Sequence, residues 1–133
     1  MTDNAEIYCL ISHPEMTPAL MSQRLGLEPS LTQTKGDQVR TPKGDIVEGS
    51  FYTINKWQYQ ERLGSEVDLS KETLAFLSKF LEKKTVLQGI ADSQGRIMVY
   101  FMATELGHRS LILDPVILAE MAEAKIFFGF EFF

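Results

Sequence analysis

The C-terminal end of the chain is the feature that most constrains its fold. Residues 126–133 are mostly phenylalanine. Because side chains alternate along a strand, four apolar residues share one face: Ile126, Phe128, Phe130 and Phe132. A strand this apolar would promote aggregation if it lay at an open edge. We therefore expect it to lie inside a sheet, with the chain ending in the core.

The composition is that of a globular protein of one-domain size. The chain has 133 residues, of which 44% are hydrophobic and 23% are charged. Its formal net charge is -5 and its pI is about 5.0. An acidic protein lacks the positive charge that neutralises phosphates, so we expect no nucleic-acid partner.

Cysteine usage and the lengths of the apolar runs indicate the cellular setting. Cys9 is the only cysteine, which excludes an internal disulfide and suits a reducing cytosol. It lies in the apolar stretch Ile7–Ile11, where we expect a buried thiol. Residues 1–6 are polar and acidic, unlike a signal peptide, and no apolar run approaches the ~18 residues that span a bilayer. We expect a cytoplasmic protein with no membrane partner.

Two similar strand–helix–strand units are predicted at the ends of the chain. The first consists of strand Glu6–Ser12, helix Pro18–Leu25 and strand Leu31–Thr34, with Thr17 as the helix N-cap. Apolar residues on both faces of Glu6–Ser12 predict a central strand. The second unit, Ser110–Phe133, begins with a short strand Ser110–Leu113 and has an Asp-Pro pair at the start of its helix in place of Thr-Pro. This similarity favours a ferredoxin-like or split βαβ arrangement.

The region between these units contains strands and helices without strict alternation. It is predicted to contain strands Ser50–Trp57, Val86–Ala91 and Arg96–Ala103, helix Lys71–Lys84 and the polar connection Glu61–Asp68. Such a pattern favours an α+β fold with a mainly antiparallel sheet and about three helices. We expect one domain of this kind over residues 1–133.

A short stretch near the first helix carries a family resemblance. Arg24–Ser30 reads RLGLEPS and is followed by the turn Lys35–Gly36. Here the chain resembles the bacterial domain-of-unknown-function family four-two-seven-nine, in which LGLxP-[ST] precedes a KG turn. The strand ending at Trp57 and the helix with Leu74–Leu81 extend the resemblance over nearly the whole chain. It implies a small α+β domain with no established activity and no catalytic residues to carry over.

The sequence contains no recognisable catalytic or metal-binding motif. His13 and His108 are the only histidines, and neither belongs to an HxH, HExxH or His/Cys cluster. No serine lies in a GxSxG elbow. We therefore assign no catalytic residue, no metal ligand and no cofactor, although acid–base chemistry by scattered carboxylates stays open.

Four residues are candidates for binding a ligand. Trp57, next to Lys56, can line a groove through cation–π contacts, or it can cap the core at the end of a strand. His108 and Arg109 can meet an anion, or they can lie in a solvated loop. Lys35 belongs to a Lys-Gly-Asp turn that can hold a phosphate or can be an ordinary turn.

The leading functional hypothesis is a non-catalytic protein-interaction module, with a homodimer as one of its forms. It is based on abundant apolar strand residues and on the lack of a catalytic constellation. The alternative is a small-molecule-binding regulatory domain with a pocket near Trp57, His108 and Arg109. The sequence does not identify the ligand or the protein partner.

Overall fold

A computed structural model of the protein describes residues 4–64, 68–104 and 109–132. The described part contains seven strands and four helices. The strands are β1 (Asn4–His13), β2 (Leu31–Gln33), β3 (Gln38–Arg40), β4 (Ile46–Phe51), β5 (Asn55–Leu63), β6 (Arg96–Thr104) and β7 (Ile126–Phe132). The helices are α1 (Pro18–Leu25), α2 (Leu69–Leu81), α3 (Lys84–Asp92) and α4 (Pro115–Glu123).

The main sheet has five strands in the order β2-β5-β1-β6-β7. All neighbouring pairs are antiparallel except β6 and β7, which are parallel. β3 and β4 form a separate antiparallel hairpin. The predicted first strand is central as expected, because β1 pairs with β5 on one side and with β6 on the other.

The helices cover one face of this sheet. On β1 this face carries Ile7, Cys9 and Ile11, which are fully buried and share one hydrophobic core with residues of all four helices. Residues of the other parity on β1 are half-buried, since no described helix covers that face. The sheet therefore has a covered face, on which the helices lie, and an open face.

The two proline-started helices begin as the sequence predicts. The hydroxyl of Thr17 accepts a hydrogen bond from the Leu20 N–H at 3.3 Å. A carboxylate oxygen of Asp114 accepts one from the Ile117 N–H at 2.9 Å. Each side chain satisfies an amide that the first helical turn leaves unpaired. The α1 helix ends at Gly26, whose φ of 69° is the left-handed conformation that glycine adopts readily.

The two βαβ units differ in their connection. β1, α1 and β2 form a split unit, because β5 lies between the two strands and is antiparallel to both. β6, α4 and β7 form a direct unit, in which the two strands are parallel neighbours. The predicted α+β class is confirmed in its split βαβ form, with four helices in the described part rather than about three.

Two of the predicted strands are not strands. Val86–Ala91 lies within α3, where Leu87 and Ile90 are fully buried at a spacing of one helical turn. A short apolar run is compatible with either element, and its length alone does not decide between them. Ser110–Leu113 contains no strand; instead its Ile112 N–H donates to the Ser70 hydroxyl at 2.7 Å. The first strand of the C-terminal unit is therefore β6.

The predicted strand Ser50–Trp57 is wrong at its centre. Residues 52–54 separate β4 from β5, and here the chain leaves the hairpin and enters the main sheet. The Asn55 side-chain oxygen holds this junction by accepting a hydrogen bond from the Lys35 N–H at 2.8 Å. The predicted polar connection Glu61–Asp68 also begins too early, since β5 includes its first three residues.

Candidate interaction surface

The strand β7 forms one edge of the main sheet and has β6 as its only neighbour among the described strands. The register of this parallel pair runs from Ile97 opposite Ile126 to Ala103 opposite Phe132. On its outer side, an edge strand presents backbone N–H and C=O groups that can pair with another strand. β7 has seven residues, so the open edge is longer than an average strand of ~5–6 residues.

On the covered face, β7 carries a row of aromatic rings whose exposure increases toward the chain end. Phe128 is half-buried, whereas Phe130 and Phe132 are 51% and 68% exposed. The Phe130 ring centroid lies 4.9 Å from that of Phe128 and 6.1 Å from that of Phe132. The expectation that this row ends inside the core is wrong for Phe130 and Phe132, because β7 is an edge strand.

On the open face, β7 combines an exposed ring, a glycine and a carboxylate. Phe127 is 56% exposed, and the Arg96 guanidinium carbon lies 4.7 Å from its ring centroid. The Tyr100 ring covers Gly129 so closely that a Cβ atom there would be 2.7 Å from Tyr100 Cε1. Glu131 completes the row, and it presents a negative charge on an otherwise aromatic strand.

The negative charge of Glu131 reaches the neighbouring strands of the open face. Tyr8 and Tyr100 stack there with ring centroids 5.2 Å apart. Partial burial raises the pKa of the Tyr8 phenol above its ordinary value, and the nearby charge of Glu131 raises it further. Glu131 therefore lies on the open face, on the same side of the sheet as Arg96 and Phe127.

The helix α4 extends the apolar surface beside this edge. A carboxylate oxygen of Glu123 accepts a 2.7 Å hydrogen bond from Lys84 of α3, so this side of α4 faces α3. At 3.6 residues per turn, Pro115, Leu118 and Ala122 lie on another side of α4, away from Glu123. All three are exposed, and Leu118 is 50% exposed. Because α4 contacts β7, this exposed apolar side belongs to the same region of the molecule as the edge strand.

A cleft of about 360 Å³ opens where β6 and β7 begin. Its walls include Arg96, Lys125, Phe127 and Asp92, so two basic side chains, a carboxylate and an aromatic ring share its lining. Lys125 has a φ of 63°, a left-handed conformation that turns the chain from α4 into β7. The cleft thus places Arg96 and Phe127 at the start of the exposed edge.

Trp57, the first predicted ligand-binding residue, lies in the core. Its side chain is fully buried, and the indole N–H donates to the Ser22 hydroxyl at 3.0 Å. Its ring contacts Tyr59 and Phe80, with centroid distances of 6.3 and 6.2 Å. These contacts match the alternative in which Trp57 closes the core, and they leave no ring face for a ligand.

The other predicted ligand-binding residues are distributed over different parts of the molecule. Lys35 lies near the start of β5, where its ammonium group bonds Glu15 at 3.2 Å and the Pro14 carbonyl at 3.1 Å. Arg109 follows β6, whose last residue pairs with Asn4 at the opposite end of β1. His108 lies outside the described residues. The register therefore does not bring Lys35 and Arg109 together.

His13 closes the end of β1. Its Nδ1 accepts the backbone N–H groups of Glu15 and Met16 at 2.9 and 2.7 Å. Since Nδ1 is an acceptor, Nε2 carries the proton and donates to the Ser93 hydroxyl at 2.9 Å. That hydroxyl in turn donates to the Gly89 carbonyl at 2.8 Å. With both ring nitrogens occupied, His13 joins β1 to the end of α3.

Sequence reasoning missed Arg96, Tyr100 and Gly129 as parts of one surface. A signal for Gly129 was present, because a glycine within an aromatic strand indicates close approach by a neighbouring group. Arg96 carries no comparable signal. Its position over Phe127 follows from the parallel register of β6 and β7, which one sequence does not specify.

The described ranges contain no candidate metal site and no candidate membrane span. Within 4–64, 68–104 and 109–132, no three His, Cys, Asp or Glu side chains gather closely enough to hold a metal ion. In the same ranges, no helix combines the length and apolar character that crossing a bilayer requires.

Comparison with known proteins places the chain in one family. No curated protein and no solved structure matches it. The sequence profile of the family described as Domain of unknown function (DUF4279) matches residues 4–132, which is almost the full chain. The resemblance carried by Arg24–Ser30 and the turn Lys35–Gly36 is thereby confirmed. The protein is a member of the DUF4279 family.

Proposed function

We propose that this protein is a non-catalytic protein-interaction module whose β7 edge receives an extended strand of a protein partner. The observation that carries the proposal is the edge position of β7, with Phe127, Phe130 and Phe132 each more than half exposed. The module acts in the bacterial cytoplasm, a setting suited to its one free cysteine.

Strand addition would use both the backbone and the side chains of β7. Backbone hydrogen bonds to an edge supply affinity, and pockets for alternate side chains supply specificity. On the covered face, the partner would contact the rings of Phe130 and Phe132. On the open face, it would meet Phe127 with the guanidinium of Arg96 above it. A partner strand with apolar residues on one face and an acidic residue on the other suits this edge.

The alternative of a small-molecule regulatory domain receives less support from the geometry. That hypothesis placed Trp57 in the wall of a pocket, but its ring is enclosed by the core. The clefts beside β7 and beside the hairpin are lined by other residues. We therefore favour strand recognition at β7.

Selection of peptides from a random display library tests the proposal. Peptides enriched on the wild-type protein would be synthesised, and their affinities measured by fluorescence anisotropy for the wild type and two variants. Phe130→Lys places a charge on the β7 edge, whereas Phe51→Lys places one on the hairpin at a matched exposure of 54% against 51%. Lysine is a residue that natural edges use to prevent strand pairing.

We expect enriched peptides with alternating apolar residues that bind the wild type and Phe51→Lys equally. Their affinity for Phe130→Lys should fall at least about tenfold, because the strand-pairing surface is blocked. Peptides that bind Phe130→Lys as well as the wild type would contradict the assignment of the site to β7. If the wild type is monomeric, failure of the library to yield any binder would count against the function itself.

A further inference from the structure

We propose that the strand received by β7 is the β7 strand of a second copy of this chain. The two strands pair antiparallel around a twofold axis through Gly129, and the two sheets become one continuous sheet. This inference rests on the proposed function, because it names the partner of the same edge. The symmetry of the strand, its charges and the neighbouring helix support it.

The strand β7 is nearly palindromic in character around Gly129, which is its midpoint. In a twofold antiparallel pair, residues equally distant from the axis lie opposite each other. Phe128 then faces Phe130 of the second copy, and Ile126 faces Phe132. Every pair on the covered face joins two apolar side chains, so the most exposed rings of the strand become buried. Only the register with Gly129 opposite Gly129 of the second copy pairs all seven residues of β7 with residues of the other β7 strand.

Charge complementarity on the open face supports the same register. Phe127 lies opposite Glu131 of the second copy, and the Arg96 guanidinium lies 4.7 Å from the centroid of that Phe127 ring. A carboxylate therefore arrives beside a guanidinium, and the symmetry produces two such ion pairs. Arg–carboxylate contacts are among the stronger polar interactions at interfaces. Between the two pairs, the axis passes the two Gly129 residues, each covered by its own Tyr100 ring.

The helix α4 is positioned to enlarge this interface. Pairing with both covered faces on the same side brings the α4 helices of the two copies toward each other across the axis. Their exposed side with Pro115, Leu118 and Ala122 is wholly apolar, as a buried helix contact requires. The strand and helix together form one patch, and a patch of this kind is unusual for a monomer.

The opposite edge limits the assembly to two copies. β2 has three residues, too few to continue a long antiparallel ladder. A twofold contact uses the same patch on both copies and closes on itself, whereas head-to-tail contacts would form filaments. The pairing therefore predicts a dimer and no larger species.

Reversing the charge of Arg96 in one copy and of Glu131 in the other tests the proposed register. In Arg96→Glu homodimers, acid would face acid at both ion pairs, and in Glu131→Arg homodimers, base would face base. When the two variants are mixed, both pairs in the mixed dimer join opposite charges. Sedimentation velocity would measure the dissociation constants of each variant and of the mixture, with circular dichroism as the check that each variant is folded.

We expect the wild type to be a dimer and each single variant to dissociate at least about tenfold more readily. Mixing the two variants should restore dimers near the wild-type affinity, an outcome that a merely structural role of Arg96 would not produce. Mixing without restoration would overturn the register. A wild type that stays monomeric while selected peptides still bind at β7 would overturn the second-copy inference alone. A monomer without peptide binding at β7 would also remove the proposed function.

Discussion

The two edges of the main sheet are built in opposite ways. The β2 edge has three residues and adjoins a cleft of about 410 Å³ lined mainly by polar side chains. The β7 edge has seven residues and exposes aromatic rings on both faces. The residues that line the cleft at the β2 edge are Thr32, Gln33, Thr34, Asp37, Gln38, Arg40 and Tyr52.

This difference separates a protected edge from an unprotected one. Natural sheets discourage unwanted pairing by short edge strands and by polar or charged side chains. β2 is short, and two of its three residues, Thr32 and Gln33, are polar. β7 has one charge, Glu131, among six uncharged residues. This unprotected edge is the reason why we propose that another chain covers β7. The comparison therefore predicts that substitutions at the two edges affect different properties.

The largest effect is expected at Trp57, which lies one strand inside the β2 edge and pairs with Thr32. Trp57→Ala should lower the free energy of unfolding by about 3–5 kcal/mol, because it removes a fully buried side chain. Phe132→Ala, at the β7 edge, should cost less than about 1 kcal/mol, since its ring is 68% exposed.

Urea denaturation of both variants in a Phe130→Lys background, where the chain is expected to be monomeric, checks this contrast. A larger loss in Trp57→Ala than in Phe132→Ala would show that the aromatic ring beside the short β2 edge belongs to the core, whereas the ring at the long β7 edge belongs to the surface. Equal losses at the two positions would contradict the distinction between the edges.

The next largest effect concerns association rather than folding. Phe130→Lys should raise the dimer dissociation constant at least about thirtyfold, which corresponds to about 2 kcal/mol, because Phe130 lies near the axis. Leu31→Lys, at the β2 edge, should leave the constant unchanged although Leu31 is 63% exposed. Sedimentation velocity measures both, and a weakened dimer in Leu31→Lys would show that the β2 edge also takes part.

A smaller effect is expected from filling the space above Gly129. Gly129→Ala should lower the free energy of unfolding by about 1–3 kcal/mol, because the new methyl group would overlap the Tyr100 ring. Gly89→Ala is the matched control, since no atom lies within 4 Å of a Cβ there. In the helix α3, that change should stabilise the protein by about 0.5–1 kcal/mol. Thermal denaturation of both variants measures these changes. An unchanged stability of Gly129→Ala would show that Tyr100 moves aside without a loss of free energy and would contradict the prediction.

The smallest effect is expected in β1, away from both edges. Burial raises the pKa of the Cys9 thiol, so it stays neutral in the folded protein at a pH where it ionises in the unfolded chain. The contribution of the neutral Cys9 thiol to the free energy of unfolding is fully present below about pH 8.5 and is lost as the pH rises above that value.

We expect the free energy of unfolding to fall by about 1 kcal/mol between about pH 8 and about pH 9.5. The substitution Cys9→Ala should abolish this fall. The same slope should appear in Phe130→Lys and Leu31→Lys, because Cys9 lies at neither edge. Denaturation curves at several pH values measure it, and an unchanged slope in Cys9→Ala would refute the assignment.

Local sequence signals predicted the parts of the fold that depend on a few neighbouring residues. The Thr17–Pro18 and Asp114–Pro115 pairs predict helix starts because the cap and the proline act within one turn. The central position of β1 follows from apolar residues on both of its faces. These predictions are confirmed. Each of them depends only on residues that lie close together in the sequence.

Properties that depend on distant partners were not predictable in the same way. Alternation in Ile126–Phe132 identifies which side chains share a face, but not whether another strand lies beside them. The candidate site depends on this neighbour, since it decides whether Phe130 is core or surface. Trp57 is similar: its residue type suits a ligand groove or a core, and the contact with Ser22 decides between them.

The position of β1 has a consequence for synthesis of the protein on the ribosome. This strand is made before the other six described strands, so both of its partners, β5 and β6, follow later, and β6 is complete only at Thr104. At ~5–20 residues per second, β1 waits on the order of 10 s for that second partner. Throughout that interval Ile7 and Ile11 have no completed sheet to cover them. The nascent chain therefore exposes two apolar side chains that the finished protein buries completely.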